Sequence, residues 1–320
     1  MKAYISKIQH FNVHDGNGFR TTVFFQGCNL RCKWCQNPEL QNPTPIMMYD
    51  KALCTGCGAC MEACTNKALE PCGEGIYFHA FECTLCMKCE EQCFNGARFF
   101  SSHKCTLEYV LKECLKDEAF YVYHGGGVTL SGGEPLLQSD FCFSLLHSLK
   151  SIGISTAVET AGYVNYEAIE KVIEDTDVFY YDVKLIDRGK RKKYLGSDSN
   201  LMLDNLVKLS RLHDRIVIRI PLIPGVNDSE TEYIRIMKYI KSLGNIRYVQ
   251  IMPFHQLGMR KYELADINYE MKDIDAENTI KINKCSDIAK SYGFEVNIGG
   301  GGFVYELRAV SKVKETGMPT

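Results

Sequence analysis

The chain has 320 residues, 45% of them apolar and 24% charged, with 37 Lys and Arg against 39 Asp and Glu. That is enough chain for one large domain or one domain carrying a smaller insert, and a charge balance so near neutral gives no electrostatic reason to expect nucleic-acid or membrane partners. The longest apolar runs, such as Thr21 to Phe25 and Val178 to Val183, are strand-length and far too short to span a bilayer.

In chain order, the opening MKAYISKIQHF alternates apolar and polar residues and lacks the apolar core of a signal peptide, so a cytoplasmic location is expected. Sixteen cysteines in a reducing compartment read as metal ligands rather than disulfides. Thr21 to Gln26 is predicted as a first strand, leading directly into Cys28, Cys32 and Cys35 in GCNLRCKWCQNPE. A duplicated segment follows at 43–102. Cys54, Cys57, Cys60 and Cys64 recur 29 positions later as Cys83, Cys86, Cys89 and Cys93, and Thr55, Asn66 and Ala68 share the offset with Thr84, Asn95 and Ala97. The segment is short on aliphatic residues, so what its cysteines bind must hold it together.

The rest alternates. Helical periodicity over Leu107 to Asp117 gives way to a strand at GVTLSG and a helix over Phe141 to Ile152, then to STAVET (strand), Tyr166 to Glu174 (helix) and DVFYYDVK (strand). Leu201 to Leu212 (helix), RIVIRIPLI (strand), Glu230 to Leu243 (helix), YVQIMP (strand), Ile280 to Lys290 (helix) and FEVNI (strand) complete the series. Runs such as VFYYDV are apolar on both faces, as strands buried in a parallel sheet are. About six such βα units are too few for a closed eight-stranded barrel but suit an open, partial (β/α)6 barrel of the α/β class, with its chemistry at the C-terminal strand ends. The expected division is 1–42 for the first part of the core, 43–102 for the insert and 103–320 for the remainder.

Three thiolates can hold three corners of a [4Fe–4S] cube and leave one iron open to a substrate; a three-ligand zinc site is the alternative on spacing alone. SGGEP at 131–135, ending the next strand, separates the two. Its glycines remove side chains so that backbone can approach a ligand closely, and Glu134 offers a negative charge to an ammonium group. In this pair of motifs the sequence resembles the radical S-adenosylmethionine (SAM) superfamily. The resemblance implies that Cys28, Cys32 and Cys35 ligate the SAM cluster, that the backbone of Trp34 lies near the adenine, and that Gly132, Gly133 and Glu134 receive the methionine amino group. It also implies that one-electron reduction of the sulfonium releases methionine and a 5′-deoxyadenosyl radical.

Further motifs narrow this. FNVHDGNGFRTTVFFQGCNLRCKWCQNPE, GGGVTLSGGEPLLQ, VETAGYV, YDVKLID, RIPLIPGVND and MPFHQLGMRKY resemble the activating enzymes of glycyl radical enzymes over nearly the whole chain. Asn17 stands where that family usually has proline, which should loosen the turn near Asp15. The resemblance puts Thr160, Lys184, Arg219 and His255 in the SAM site. It puts Asp182 and Glu159 near the methionine carboxylate, where the family can hold a monovalent cation, and Asp15 in contact with a cation or substrate loop. Taken singly, Asp182 and Lys184 could be a surface pair and His255 an ordinary loop histidine; a common strand-end register argues for the site.

Each repeat of the 43–102 segment has the bacterial ferredoxin spacing C-x2-C-x2-C-x3-C, in which the fourth cysteine ligates the other cluster. One cluster is therefore expected on Cys54, Cys57, Cys60 and Cys93, and the other on Cys64, Cys83, Cys86 and Cys89. Thr65 and Phe94 replace the proline that usually follows, and zinc knuckles are the alternative. Activases of glycyl radical dehydratases, choline lyase, arylsuccinate synthases and hydroxyarylacetate decarboxylases carry such an insert; that of pyruvate formate-lyase lacks it. Electron relay and docking of a partner or reductant are equally compatible roles. Cys72, Cys105, Cys114, Cys142 and Cys285 have no ligand spacing and are expected to be buried small hydrophobes.

The expected function is abstraction of hydrogen from the C-terminal glycine loop of a partner glycyl radical enzyme. It calls for three [4Fe–4S] clusters, SAM, a monovalent cation, and flavodoxin or ferredoxin as reductant. A monomer is expected, because an open barrel must admit a protein loop through its lateral gap. A radical SAM enzyme acting on a small molecule is the alternative that keeps the same cluster. A ferredoxin-type carrier would explain only the repeat.

Overall fold

A computed structural model of the protein describes residues 1–303 apart from 74 and 277; the last part of the 103–320 range lies outside the described residues. In chain order the strands are β1 (Lys2–Asn12), β2 (Arg20–Phe25), β3 (Met47–Tyr49), β4 (Leu69–Cys72), β5 (Gly75–Phe78), β6 (Arg98–Phe100), β7 (His103–Thr106), β8 (Gly127–Gly132), β9 (Ser155–Thr160), β10 (Val178–Asp182), β11 (Ile216–Leu222), β12 (Tyr248–Pro253) and β13 (Glu295–Ile298). The helices are α1 (Ala59–Glu62), α2 (Lys88–Glu91), α3 (Leu107–Leu115), α4 (Glu118–His124), α5 (Ser139–Ser151), α6 (Tyr166–Glu170), α7 (Arg188–Leu195), α8 (Leu201–Leu212), α9 (Glu230–Ser242), α10 (Met259–Leu264) and α11 (Thr279–Ser291).

One nine-stranded sheet runs β13-β12-β11-β10-β9-β8-β2-β1-β7. From β2 to β13 every neighbouring pair is parallel, whereas β1 is antiparallel to both β2 and β7. Consecutive parallel strands each joined by a helix give the expected α/β layer order. The antiparallel edge was not anticipated: MKAYISKIQHF alternates because β1 is a strand, and its pattern also suits an exposed amino terminus.

The two faces of the sheet differ. One packs Val128, Leu130, Val158, Phe179, Ile218 and Ile251 under the helices, in a single apolar core with Leu145, Leu206, Ile236 and Ala289. The other face, beside Ala157, Tyr180 and Val217, carries Ser131, Glu159, Asp182, Arg219 and Gln250; Asp182 pairs in register with Arg219 and Arg219 with Gln250, while Glu159 pairs with Tyr180 two residues before Asp182. A closed barrel fills this space with branched apolar side chains; here polar groups line it, so a ligand site is built into the register itself.

Several helices depart from expectation for local reasons. The helix expected over Leu107 to Asp117 stops at Leu115, because Asp117 turns inward to accept from Thr21 Oγ1 at 2.5 Å and to meet His10 Nδ1 at 2.7 Å. α6 ends at Glu170 rather than Glu174. α7 was not anticipated. Its RGKRKKYL sequence is almost wholly polar, although Asp187 caps its start by accepting from Lys190 N and Gly196 ends it with φ +76°. Among the described residues no helix is long and apolar enough to cross a membrane.

Candidate active site

β2 ends at Phe25 and releases the chain into the loop bearing Cys28, Cys32 and Cys35. Rigid backbone grips this loop. Arg31 N and Lys33 N donate to Leu195 O and Tyr194 O at 2.8 and 3.0 Å, and Cys35 N donates to Cys32 O at 3.1 Å. Leu30 and Trp34 are buried with Leu185, Leu195, Ile223, Phe254 and Tyr262, and Cys28 and Cys32 pack against this apolar group. Burial pushes the Cys28 thiol up to about 12, with Glu134 and Cys35 adding to it, and it also raises Cys32 and Cys35. Three neighbouring half-buried thiols that resist ionising are poor free nucleophiles and suit an electropositive group that supplies the charge.

The SGGEP turn is stitched to the same loop: Gly133 N donates to Phe25 O at 3.0 Å and Glu134 N to Gly27 O at 2.7 Å. A Cβ on Gly132 would lie 2.3 Å from Phe25 N, and one on Gly133 would lie 2.2 Å from Gly27 O. The glycines thus let this turn press against the cysteine loop, where close approach to a ligand had been expected. Glu134 is 2% exposed. Its carboxylate accepts from Thr160 Oγ1 at 2.7 Å, Ala161 N at 3.0 Å and Leu136 N at 3.4 Å, yet burial still pushes it up to about 7. No Lys or Arg among the described residues forms an ion pair with it. A buried carboxylate so held is short of one positive charge. Thr160 therefore orients Glu134, and its oxygen also accepts from Gly162 N at 2.8 Å.

On the polar face, Arg219 Nη1 pairs with Glu159 Oε1, and Ser131 Oγ donates to Glu159 Oε2 at 2.6 Å. Burial pushes Glu159 up to about 7 while the Arg219 guanidinium opposes it. Arg219 Nε is buried without a partner, an orphan donor on this face. Lys184 Nζ donates to Asp182 Oδ2 at 2.5 Å. Burial works against the Lys184 ammonium, but Asp182 and the Cys32 and Cys28 sulfurs outweigh it and hold its pKa above the lysine value. Asp15 is engaged from within, its Oδ2 accepting from Asn12 Nδ2 at 2.5 Å and Thr22 Oγ1 at 2.9 Å. Asn17, expected to loosen that turn, ties it to Phe303 O. The strip 299–303 crosses the polar face, with Gly301 N donating to His14 O at 3.1 Å and Gln250 Nε2 to Gly301 O at 2.7 Å, so the expected lateral gap is bridged by glycine-rich backbone. His255 stands apart: it is exposed, and its imidazole Nδ1 accepts from Leu257 N at 3.4 Å.

In the repeated segment β3 pairs with β6 and β4 with β5, so each half lends a strand to the other. Cys60 lies near Cys93 and Cys54, and Cys89 lies near Cys83 and Cys64. Cys64, Cys83, Cys86 and Cys89 line one cavity with Leu69, Phe78, Met87 and Phe100. Each grouping draws cysteines from both halves of the repeat. Leu85 and Met87 hold φ of +55° and +63°, unusual for such side chains, at the offsets where the first repeat has Gly56 and Gly58. The donor sets are all thiolate, the chemistry of iron–sulfur centres; among the described residues no three His, Cys, Asp or Glu side chains converge as a single bound ion requires. Of the remaining cysteines, Cys114, Cys142 and Cys285 are buried and Cys105 is half-buried. Cys72 is exposed, contrary to expectation; it is the last residue of β4, paired with Gly75 at the turn end of the two-stranded β4–β5 sheet.

The structure adds residues the sequence did not single out. Gln36 Nε2 donates to His255 O at 2.9 Å and its Oε1 accepts from Gly258 N at 2.9 Å; Lys261 Nζ pairs with Glu39 at 2.9 Å; Tyr262 Oη donates to Cys35 O at 2.9 Å. The MPFHQLGMRKY segment is thus a strap over the cysteine loop. Its glycine at 258 and its polar side chains at 261 and 262 were the available signal.

A 4Fe-4S single cluster domain model matches residues 14–202. The Streptococcus suis SuiB structure bound to precursor peptide SuiA matches 92% of this chain and 50% of that one, with a TM-score of 0.50 at 12% identity, a likeness of fold. A parallel α/β sheet with a three-cysteine loop at the end of its first parallel strand and a glycine-glycine-acid turn at the end of the next defines the radical SAM class. The trans-4-hydroxy-L-proline dehydratase activating enzyme of Clostridioides difficile is 41% identical over 94% of this chain and 100% of its own length. The choline trimethylamine-lyase activating enzyme of Oleidesulfovibrio alaskensis is 35% identical over 93% of this chain and 98% of its own length. The chain belongs to the glycyl-radical-enzyme activating enzymes.

Proposed function

We propose that this activating enzyme works as a cytoplasmic monomer carrying three [4Fe–4S] clusters: one on Cys28, Cys32 and Cys35 in an open (β/α)6 core, and two on a ferredoxin-type insert at residues 43–102. When bound, the first cluster supplies one electron to the SAM sulfonium, so that methionine leaves and a 5′-deoxyadenosyl radical remains. Glu134, oriented by Thr160 and Ala161 N, receives the methionine ammonium. The orphaned Nε of Arg219 and the Lys184 ammonium face its carboxylate, with Asp182 and Glu159 keeping both cations in place or sharing a monovalent cation. Trp34 and its apolar neighbours exclude water from the adenine end. His255 reaches the ligand only if its loop turns inward on binding. A flavodoxin or ferredoxin returns the electron.

The observation that carries this reading is Glu134, a buried carboxylate pushed up to about 7 beside Cys28 and lacking a counter-cation. The radical takes hydrogen from whichever C–H bond lies beside it, so positioning must supply the selectivity. An extended partner loop reaching the strand ends past His14 to Asn17 and the 299–303 strip would best present glycine, which has no side chain to block close approach. The Cα–H bond breaks, hydrogen moves to the 5′ carbon, and the unpaired electron stays on the glycine. The relatives named above serve different lyases and dehydratases, so what carries across the family is this hydrogen transfer rather than one metabolic reaction. Deuterating glycine in the partner alone should put one deuterium into 5′-deoxyadenosine and leave an organic radical on the partner by EPR. Deuterium arriving only from a small metabolite, with no protein radical, would replace this reading with the small-molecule one.

A further inference from the structure

The two halves of the cysteine-rich segment are nearly superposable in register. Tyr49 pairs with Arg98 across β3 and β6, and Leu69 pairs with Phe78 across β4 and β5. The 29-residue offset maps Tyr49 onto Phe78 and Leu69 onto Arg98, so these pairs are the same place in the repeat. Their chemistry is opposite. Leu69 and Phe78 line the cavity of Cys64, Cys83, Cys86 and Cys89 and offer it neither charge nor donor. At the other site the same places hold the Tyr49 hydroxyl, beside Cys54, and the Arg98 guanidinium, beside Cys60 and Cys54.

Arg98 is 2% exposed. Its Nη2 donates to Ile76 O at 2.7 Å, its guanidinium stacks 4.2 Å over the Tyr49 ring, and its Nε is buried with no partner. Burying an arginine with a donor to spare is costly unless negative charge lies beside it. Backbone donors favour the twin, where Ala68 N donates to Cys64 Sγ at 3.2 Å and Leu85 N to Cys83 Sγ at 3.4 Å, so the contrast on the Cys54 side rests on side chains and charge. Lys88, beside Cys89, is exposed and screened by water and salt. The buried Tyr49–Arg98 pair is therefore the main electrostatic difference between the halves.

We infer that Tyr49 and Arg98 raise the electron affinity of the site on Cys54, Cys57, Cys60 and Cys93 above that of its twin, so that an electron shared between the two rests on the Arg98 side. This rests on the two-cluster reading of the insert. Adding an electron adds one negative charge, which a neighbouring buried cation favours, and among the described residues the twin has no buried cation.

The test uses the full chain reconstituted without oxygen, with Cys28, Cys32 and Cys35 changed to Ala so that only the insert signals remain. That chain should hold about eight irons; about four or fewer would overturn the two-cluster reading itself. With about eight, an EPR-monitored redox titration should resolve two midpoints. Arg98→Leu should lower the upper one by at least a tenfold change in the reduced-to-oxidised ratio, about 59 mV for one electron, and leave the lower one in place; Arg98→Lys should restore part of it. Tyr49→Phe, which keeps the ring, should shift the same midpoint in the same direction by less, and it decides the matter if Arg98→Leu loses iron. Two coincident midpoints in the parent, or full iron content with unmoved midpoints in the variants, would overturn the inference.

Discussion

The loop of Cys28, Cys32 and Cys35 is bound on every side by elements that fold without it: the end of α7, the SGGEP turn, and the strap through Gln36, Lys261 and Tyr262. The segment that carries the repeated cysteines meets the core mainly near its ends, through Arg260 with Asp50 at 2.7 Å and Ser101 Oγ with Gln26 Oε1 at 3.0 Å. Its buried apolar cluster consists of Met47, Leu69 and Phe100 together with Cys60 and Cys89. Its four strands and two one-turn helices are too short to hold each other in water. The same ligand chemistry therefore plays two structural parts. In the core a preformed scaffold presents an incomplete set of thiolates and leaves a position open. In the insert, on the two-cluster reading proposed above, complete thiolate sets would substitute for a core and metal binding would drive folding.

Replacing Cys28, Cys32 and Cys35 together by Ala breaks this comparison most severely. SAM cleavage should fall below detection while only about four of about twelve irons are lost. The insert should keep its own EPR signals, because its ligand sets do not depend on the core loop. Iron analysis and EPR of the same sample check this; loss of all iron would mean that the two regions fold as one unit.

A subtler break is Glu134→Gln, which keeps the Thr160 hydrogen bond and removes the charge. Losing one partner of a buried ion pair costs about 3–5 kcal/mol, so SAM affinity should fall on the order of 10²–10³-fold, measured by isothermal titration. The pH dependence has a definite sign. Burial holds the free carboxyl near 7, from 4.5, and the ammonium favours its ionised form. Binding below pH 7 must expel a proton, so affinity should climb up to tenfold per pH unit toward about 7 and then level off. Without ligand the same upward shift works the other way on folding: the native state holds the proton more tightly than the unfolded one, so this contribution to stability is lost as pH rises from 4.5 to about 7. Glu134→Gln should flatten both profiles.

The parallel strands were legible because they are buried on both faces, and the duplication of the cysteine segment because each repeat carries the same spacing. β1 and α7 were not. A short-paired alternating strand such as β1 and a polar helix such as RGKRKKYL bury little, so their apolar pattern is faint even where caps mark the ends. Gly132 and Gly133 were recognised as necessary but for a different neighbour, since sequence cannot say that Phe25 and Gly27 lie across from them. Asp15 was visible as a charge, but its partners Asn12 and Thr22 lie across a bulged pairing of β1 with β2. The strap escaped notice because its contacts, Gln36 with Gly258 and Lys261 with Glu39, join positions more than two hundred residues apart.

The smallest predicted effect sharpens the comparison rather than breaking it. Tyr262 is buried, its ring lies 4.3 Å from that of Tyr269, and its hydroxyl donates to Cys35 O at 2.9 Å. Tyr262→Phe keeps the ring contact and removes one donor, leaving a buried carbonyl unpaired at a cost of about 1–3 kcal/mol. The carbonyl belongs to the last ligand of the open-sided site, so that cost should appear as a looser cysteine loop rather than a less stable protein. In a chelator challenge without oxygen, iron from the Cys28, Cys32 and Cys35 site should leave roughly tenfold faster or more, by the same free-energy range. Iron held by Cys54, Cys57, Cys60 and Cys93, and by Cys64, Cys83, Cys86 and Cys89, should leave at the parent rate, because no strap residue donates to those cysteines. Equal acceleration at all three sites would show that the strap supports the fold as a whole, and that the core loop is no more dependent on its surroundings than the insert is.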